Sequence, residues 1–89
     1  GLVYSISDVE NVVLSYTAEQ GNYIKTQAIH ASQKILIDDE NEFRIQLRVR
    51  PNYELQEQIL KQGERVKVLE PKWLREEIKE RLKEAFEQY

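Results

Sequence analysis

The sequence predicts an α+β fold in which helices cover one face of a four-stranded antiparallel sheet. The first indication is the stretch 42–50, where Phe43, Ile45, Leu47 and Val49 alternate strictly with polar residues. Successive side chains of a strand point to opposite faces, so one face is apolar and the other carries three guanidinium groups. The second indication is a set of shorter alternating segments, and the third is the helical segments between and after them. Together they give the order β-α-β-β-α-β plus a terminal helix.

The first strand and the first helix come from the segment 11–27. Residues 11–17 alternate, and the core-facing residues of this strand are Val12, Leu14 and Tyr16. Thr17 and Gln20 have the spacing of a capping box, which predicts a helix over 18–27. Gly21 lies inside that helix and implies that another group packs closely against it. The residues that the helix is expected to bury are Ile24 and Ala28.

The central part of the chain predicts a hairpin. Residues 34–38 form the second strand, and an acidic turn at 39–41 leads into the arginine-bearing strand. Register is fixed by the need to keep apolar side chains on one face of the sheet. The apolar pairs of that register are Ile35 with Ile45 and Ile37 with Phe43.

The last third of the chain predicts helix, strand and helix. Asn52 is a good N-cap for a helix, and Gly63 ends that helix in the manner of a C′ glycine. The core stripe of this helix is Leu55, Ile59 and Leu60. Residues 65–69 alternate as the fourth strand, and Pro71 suits the first position of a final helix over 72–89. The apolar stripe of the final helix is Leu74, Ile78, Leu82, Ala85 and Tyr89.

This order of elements is typical of a ferredoxin-like sandwich with an added C-terminal helix. In that layout the first and third strands are central, which places the apolar face of 43–49 under the helices. We interpret residues 1–10 as a linker or the end of a preceding domain and residues 11–89 as one domain. The chain begins at Gly1 and contains no methionine, so we expect it to be a fragment of a longer protein.

Composition favours a soluble binding domain over an enzyme or a membrane protein. Hydrophobic residues make up 40% and charged residues 33% of the 89 residues, and no apolar run approaches the length of a membrane span. Cysteine is absent, so disulfides, thiolate nucleophiles and sulfur-ligated zinc are excluded. With no secretory segment either, we expect a cytoplasmic protein.

Catalytic patterns are not found in the sequence. There is one histidine, no nucleophile motif and no phosphate-binding glycine loop. The carboxylates of the turn at 38–42 lack the glycine and the ligand spacing of a calcium loop. We therefore expect no enzymatic activity, no cofactor and no metal site.

Three stretches of the sequence resemble a known family. They are His30-Ala-Ser-Gln-Lys34, the run 47–60, and the segment 66–78 with its Val-x-Val-Leu-Glu-Pro sequence. Together they resemble the C-terminal extension of bacterial WYL-domain transcriptional regulators. The resemblance implies a regulatory domain that senses an effector or sets the assembly of a homo-oligomer. It also implies that DNA is bound by an N-terminal helix-turn-helix absent from this chain.

The candidate binding surface is the sheet face that points away from the helices. The basic residues assigned to it by strand parity are Lys34, Arg44, Arg48, Arg50, Arg65 and Lys67. A guanidinium-rich face suits phosphates or carboxylates. A solvated surface, a contact with another domain or subunit, a small anionic effector or nucleotide, and single-stranded nucleic acid all stay open. The candidate ligand-binding residues are His30, Ser32, Gln33, Arg44, Arg48 and Lys67. Trp73 is interpreted as a packing anchor for the last helix.

Overall fold

The computed structural model describes residues 8–89, and its elements follow the predicted order. The elements are β1 (Glu10–Tyr16), α1 (Ala18–Thr26), β2 (Lys34–Asp38), β3 (Phe43–Val49), α2 (Tyr53–Leu60), β4 (Val66–Glu70) and α3 (Lys72–Phe86). The sheet order is β2-β3-β1-β4 with antiparallel neighbours throughout, which confirms the α+β, ferredoxin-like prediction. The first seven residues of the predicted linker lie outside the described part of the chain.

The core lies between the helices and the inner strands β1 and β3. On β3 the predicted apolar face is confirmed, because Ile45 and Leu47 are fully buried and Phe43 and Val49 nearly so. Val12, Leu14 and Tyr16 of β1 are buried beside them. The added helix α3 also belongs to this core, since its Leu74 and Ile78 are buried in the same cluster. Three helices therefore cover the sheet.

Gly21 lets α1 approach β3 closely, as the sequence predicts. A Cβ placed on Gly21 would lie 2.4 Å from the Cβ of Phe43, which no real side chain tolerates. The helix begins with the predicted cap, in which the Gln20 amide donates to Thr17 Oγ1 at 3.2 Å. Gln20 does not complete the capping box, because its side chain donates to Gln62 Oε1. Ala28 is exposed because α1 ends at Thr26, so its predicted burial is wrong.

The hairpin of β2 and β3 differs from the predicted register at one residue. Ile35 pairs with Ile45 as predicted, but a bulge at Leu36 then shifts the pairing. Ile37 consequently lies opposite Arg44, and Asp38 lies opposite Phe43. One extra residue in a strand reverses the faces of all residues beyond it, and the strict alternation assumed from the sequence cannot reveal it.

In the second half of the chain the predicted helices and strand are confirmed, but the end of α2 and the start of α3 differ from the prediction. Asn52 Oδ1 accepts from the Leu55 amide at 3.0 Å, as an N-cap does. Gly63 has a φ of +58°, but it follows the end of α2 by three residues. Pro71 is the N-cap of α3 and not its first helical residue.

The C-terminal half of α3 is not buried as predicted. Leu82 is 43% exposed and Tyr89 fully exposed, and Ala85 is exposed too. A helix of 15 residues is about 22 Å long, whereas the five residues of β4 extend about 16 Å. The helix therefore runs past the strand that it covers. In residues 8–89 no helix is long and apolar enough to cross a membrane.

Candidate functional site

The open face of the sheet carries a row of polar residues across three strands. Ser15 of β1 lies directly opposite Arg44 of β3 on one side and Lys67 of β4 on the other. Adjacent strands are about 4.8 Å apart, so the backbones of Arg44 and Lys67 are about 10 Å apart with Ser15 between them. The register thus brings together two of the predicted ligand-binding residues.

This row forms the floor of a cleft of about 320 Å³ at the end of the sheet. The β2–β3 turn borders it on one side, and the segment that enters β4 borders it on the other. The polar residues that line it include Ser15, Thr17, Glu42, Arg44, Arg65 and Lys67. The predicted residues His30, Ser32, Gln33 and Arg48 do not line this cleft.

Glu42 is the best-connected side chain of the cleft. Its Oε2 accepts a 2.7 Å hydrogen bond from the Ser15 hydroxyl and a 3.0 Å bond from Arg44 Nε. Its Oε1 accepts from Arg44 Nη2, also at 3.0 Å, which completes a bidentate pair. The hydrogen bond from Ser15, followed by that from Arg44, lowers the pKa of the Glu42 carboxyl. The charge of Arg44 is therefore compensated within the chain.

The other two cations of the cleft differ in their availability. Arg65 donates from Nε to the Gln62 carbonyl at 2.9 Å and from Nη2 to the Lys61 carbonyl at 3.3 Å. It therefore satisfies carbonyl groups just beyond α2. Lys67 is exposed, and no ion pair joins it to another residue of the range 8–89. Lys67 is the cation most accessible to a bound anion.

Three of the remaining predicted residues, His30, Ser32 and Arg48, form a second group. Ser32 Oγ accepts from the Arg48 amide at 2.9 Å, and the Arg48 guanidinium donates to Asn11 Oδ1 at 3.2 Å. His30 Nδ1 lies 3.0 Å from the Ser32 amide nitrogen and 2.7 Å from Ser32 Oγ, which joins it to this group. Arg48 is four residues from Arg44 along β3, or about 13 Å. The geometry therefore separates this group from the cleft.

Gln33 has a structural position at the end of α1. Its Oε1 accepts from the Ile29 amide at 2.9 Å, and its Nε2 donates to the Ile24 carbonyl at 3.3 Å. These bonds hold the loop that connects α1 to β2. Both polar groups of this amide are used within the fold, and its backbone amide donates to the His30 carbonyl at 3.0 Å.

The aromatic residues of the inner strands do not reach the open face. Tyr16 and Phe43 are 2% and 1% exposed and point into the core. Burial raises the pKa of Tyr16 to about 12. RNA-binding modules of this topology stack bases on aromatic side chains of the central strands. These two residues cannot form such a platform.

Trp73 and the acidic turn have internal partners. Trp73 packs against the core, and its Nε1 donates to the Glu10 carboxylate at 3.2 Å, as expected of a helix anchor. In the turn, Asp39 Oδ1 accepts from the amides of Asn41 and Glu42 at 2.8 and 2.9 Å. Those backbone hydrogen bonds lower the pKa of Asp39.

Sequence reasoning does not single out Glu42, which contacts Ser15 and Arg44 in the cleft. The sequence assigns it to the acidic turn, although it lies two residues before Arg44 and so shares the face of that residue. That spacing, read together with Ser15 on the neighbouring strand, is the signal that identifies it. A carboxylate at this position neutralises the strongest anion-binding group of the predicted basic face.

The fold and the face described above define a small α+β domain with a polar, partly cationic sheet surface. Comparison with protein-family models matches residues 8–86 to the WCX domain. The chain belongs to the WCX domain family, whose members are C-terminal domains associated with WYL regulators. A search of curated proteins found no match.

Proposed function

We propose that this WCX domain is the regulatory module of a bacterial transcriptional regulator and that it senses a small anionic effector. The module is non-enzymatic, and DNA is bound by an N-terminal domain that precedes it in the longer protein. Family membership supports the regulatory class. The effector site is the cleft that contains Arg44 and Lys67.

The observation that carries this proposal is the way in which the cleft holds Glu42. Arg44 and Ser15 together direct three hydrogen bonds at one carboxylate. Bidentate guanidinium contacts of this kind are those that recognise carboxylates and phosphates in general. The donors of the cleft are thus arranged for an oxyanion, which competes with Glu42 for them, and Lys67 adds a charge on the far side of Ser15.

An effector in this cleft would contact two segments that belong to different parts of the sheet. One is the β2–β3 turn, which provides Asn41 and Glu42, and the other is the segment that enters β4. A ligand shifts a conformational equilibrium only through its different affinities for the two states. Binding therefore acts on the preceding domains if the position of the turn or of β4 differs between the active and inactive regulator.

We expect Lys67→Gln to abolish the effector response of the full-length regulator, measured with a transcriptional reporter. The matched control is Arg48→Gln, which removes an exposed cation of the same face outside the cleft. Both variants should change the free energy of unfolding by less than about 1 kcal/mol, because exposed charges contribute little to stability. Arg44 is a poorer choice for this test, since its guanidinium is paired with Glu42.

Three outcomes of this experiment contradict the proposal. They are an unchanged response in Lys67→Gln, an equal loss in both variants, and a loss explained by unfolding. A reporter that responds normally while Lys67→Gln weakens a dimer would also contradict it, and would favour assembly as the function.

Assembly is the second candidate function, in which the domain binds no ligand and holds a homo-oligomer together. The observation that favours it is β2, an edge strand of the sheet whose Ile35 and Leu36 are 50% and 42% exposed. Exposed apolar side chains on an edge strand are typical of surfaces that pair with another chain. The oligomeric state measured beside the reporter distinguishes the two functions.

A further inference from the structure

A groove between β4 and α3 shares Val66 and Lys67 with the border of the effector cleft but depends on neither Arg44 nor Glu42. It encloses about 220 Å³. Its apolar lining is Val66, Val68, Ile78 and Leu82, and its cationic side chains are Arg75 and Lys79 of α3; Lys67 borders it from β4, with its side chain on the open face of the sheet. In residues 8–89 none of these three cations takes part in an ion pair. The chain as a whole carries a net charge of −3, so the cationic character is local.

The strand at this groove has a free edge. Within the described residues β4 pairs only with β1. The Thr17 amide donates to the Arg65 carbonyl at 3.0 Å, which marks these two residues as a hydrogen-bonded pair. Antiparallel pairs alternate, so Val66 and Val68 occupy non-hydrogen-bonded positions and direct their N–H and C=O groups away from β1. Unpaired donors and acceptors therefore face the groove.

We propose that this groove binds an extended, acidic segment of a partner protein as an added β-strand. The backbone of the segment pairs with Val66 and Val68 at the edge of the sheet. Its apolar side chains lie against Ile78 and Leu82, of which Leu82 is 43% exposed in the described chain. Successive side chains of a strand point to opposite faces, so the carboxylates that face Arg75 and Lys79 lie on the same side of the segment as its apolar residues, two or four positions from them.

Charge selects this partner over a second copy of the chain. Two copies paired through β4 would bring Arg75 and Lys79 of one copy towards the same residues of the other. Like charges placed together across an interface oppose association strongly. An acidic strand has the opposite effect, because it compensates Arg75 and Lys79 while it covers the apolar floor.

The probe that tests this proposal is an acetylated, amidated heptapeptide with glutamate at positions 1 and 7, valine at positions 3 and 5 and threonine between them, which places all four on one face of a strand. It is titrated into the 15N-labelled 89-residue chain. We expect the amide signals of Val66 and Val68 to shift, and their hydrogen exchange to slow, in a saturable manner. Lys79→Glu should weaken binding at least about tenfold, because it replaces attraction by repulsion. The matched control, Lys83→Glu, makes the same charge change on α3 outside the groove and should weaken binding less than about threefold.

Several results would overturn the proposal. One is an absence of saturable binding at millimolar peptide, and another is an equal effect of Lys79→Glu and Lys83→Glu. Equal binding of a peptide with lysine in place of glutamate would show that charge does not select the partner. Equal binding of a peptide with N-methylated backbone amides would show that strand pairing is not involved. None of these results bears on the effector cleft, whose test uses Lys67→Gln, with Arg48→Gln as its control, and the response to an anion.

Discussion

Leu47→Ala should lower the free energy of unfolding by about 2–5 kcal/mol, the range found when a large buried side chain is truncated. Leu47 is fully buried on β3, lies opposite Val12 in the ladder and belongs to the core cluster between the helices and the inner strands. A domain of this size is stable by roughly 5–10 kcal/mol, so the loss is a large part of the total.

Urea unfolding followed by circular dichroism measures this loss. Gln46→Ala is the matched control, since Gln46 immediately precedes Leu47 on the same strand but lies on the open face. It should change the free energy of unfolding by less than about 1 kcal/mol. A small effect of Leu47→Ala, or an equal effect of the two variants, would show that the helices do not cover this face of β3.

Gly21→Ala should destabilise the domain by about 2 kcal/mol, although alanine is the better helix former. The exchange favours the helix by about 1 kcal/mol, but overpacking a filled core costs about 1–3 kcal/mol. The cost should be at the upper end here, because the new Cβ would lie 2.4 Å from Phe43 Cβ and 2.7 Å from its Cγ. Phe43 is 1% exposed and has little room to move.

The control for this prediction is Asn22→Ala, which adds the same helix former at the next, exposed position of α1. It should leave the domain unchanged or slightly more stable, because only the helix propensity differs. If Gly21→Ala were stabilising in the same thermal or urea unfolding experiment, the close approach of α1 to β3 would be contradicted.

The order of elements could be predicted because each one has a strong local signal. Strict alternation marked β3, and side-chain caps at Thr17 and Asn52 marked the starts of α1 and α2. The glycine at position 21 of α1 also predicts that another group packs closely there, and that group is Phe43. These signals depend on residues that are close together in the sequence, so they can be recognised without knowledge of the tertiary structure.

The parts that could not be predicted depend on distant contacts. The bulge at Leu36 leaves no mark on the composition of β2, and the exposed end of α3 follows from the length of β4. For the candidate site, strand parity correctly predicts that Arg44 and Lys67 lie on the open face of the sheet. Gln33 and Arg48 lie outside the cleft. Gln33 accepts from the Ile29 amide in the loop before β2, and Arg48 donates to Asn11 of β1. Alternation along one strand cannot reveal such partners.

The most direct test of an anion-sensing cleft is a titration of the 15N-labelled chain with inorganic pyrophosphate. We predict saturable shifts of the Ser15 and Lys67 amides and of Arg44 Nε, as the anion competes with Glu42 for the guanidinium. The Asn11 and Arg48 amides should change little, and Lys67→Gln should remove the effect. Weak, unsaturated shifts spread over all the surface cations, and unaltered by Lys67→Gln, would contradict the account.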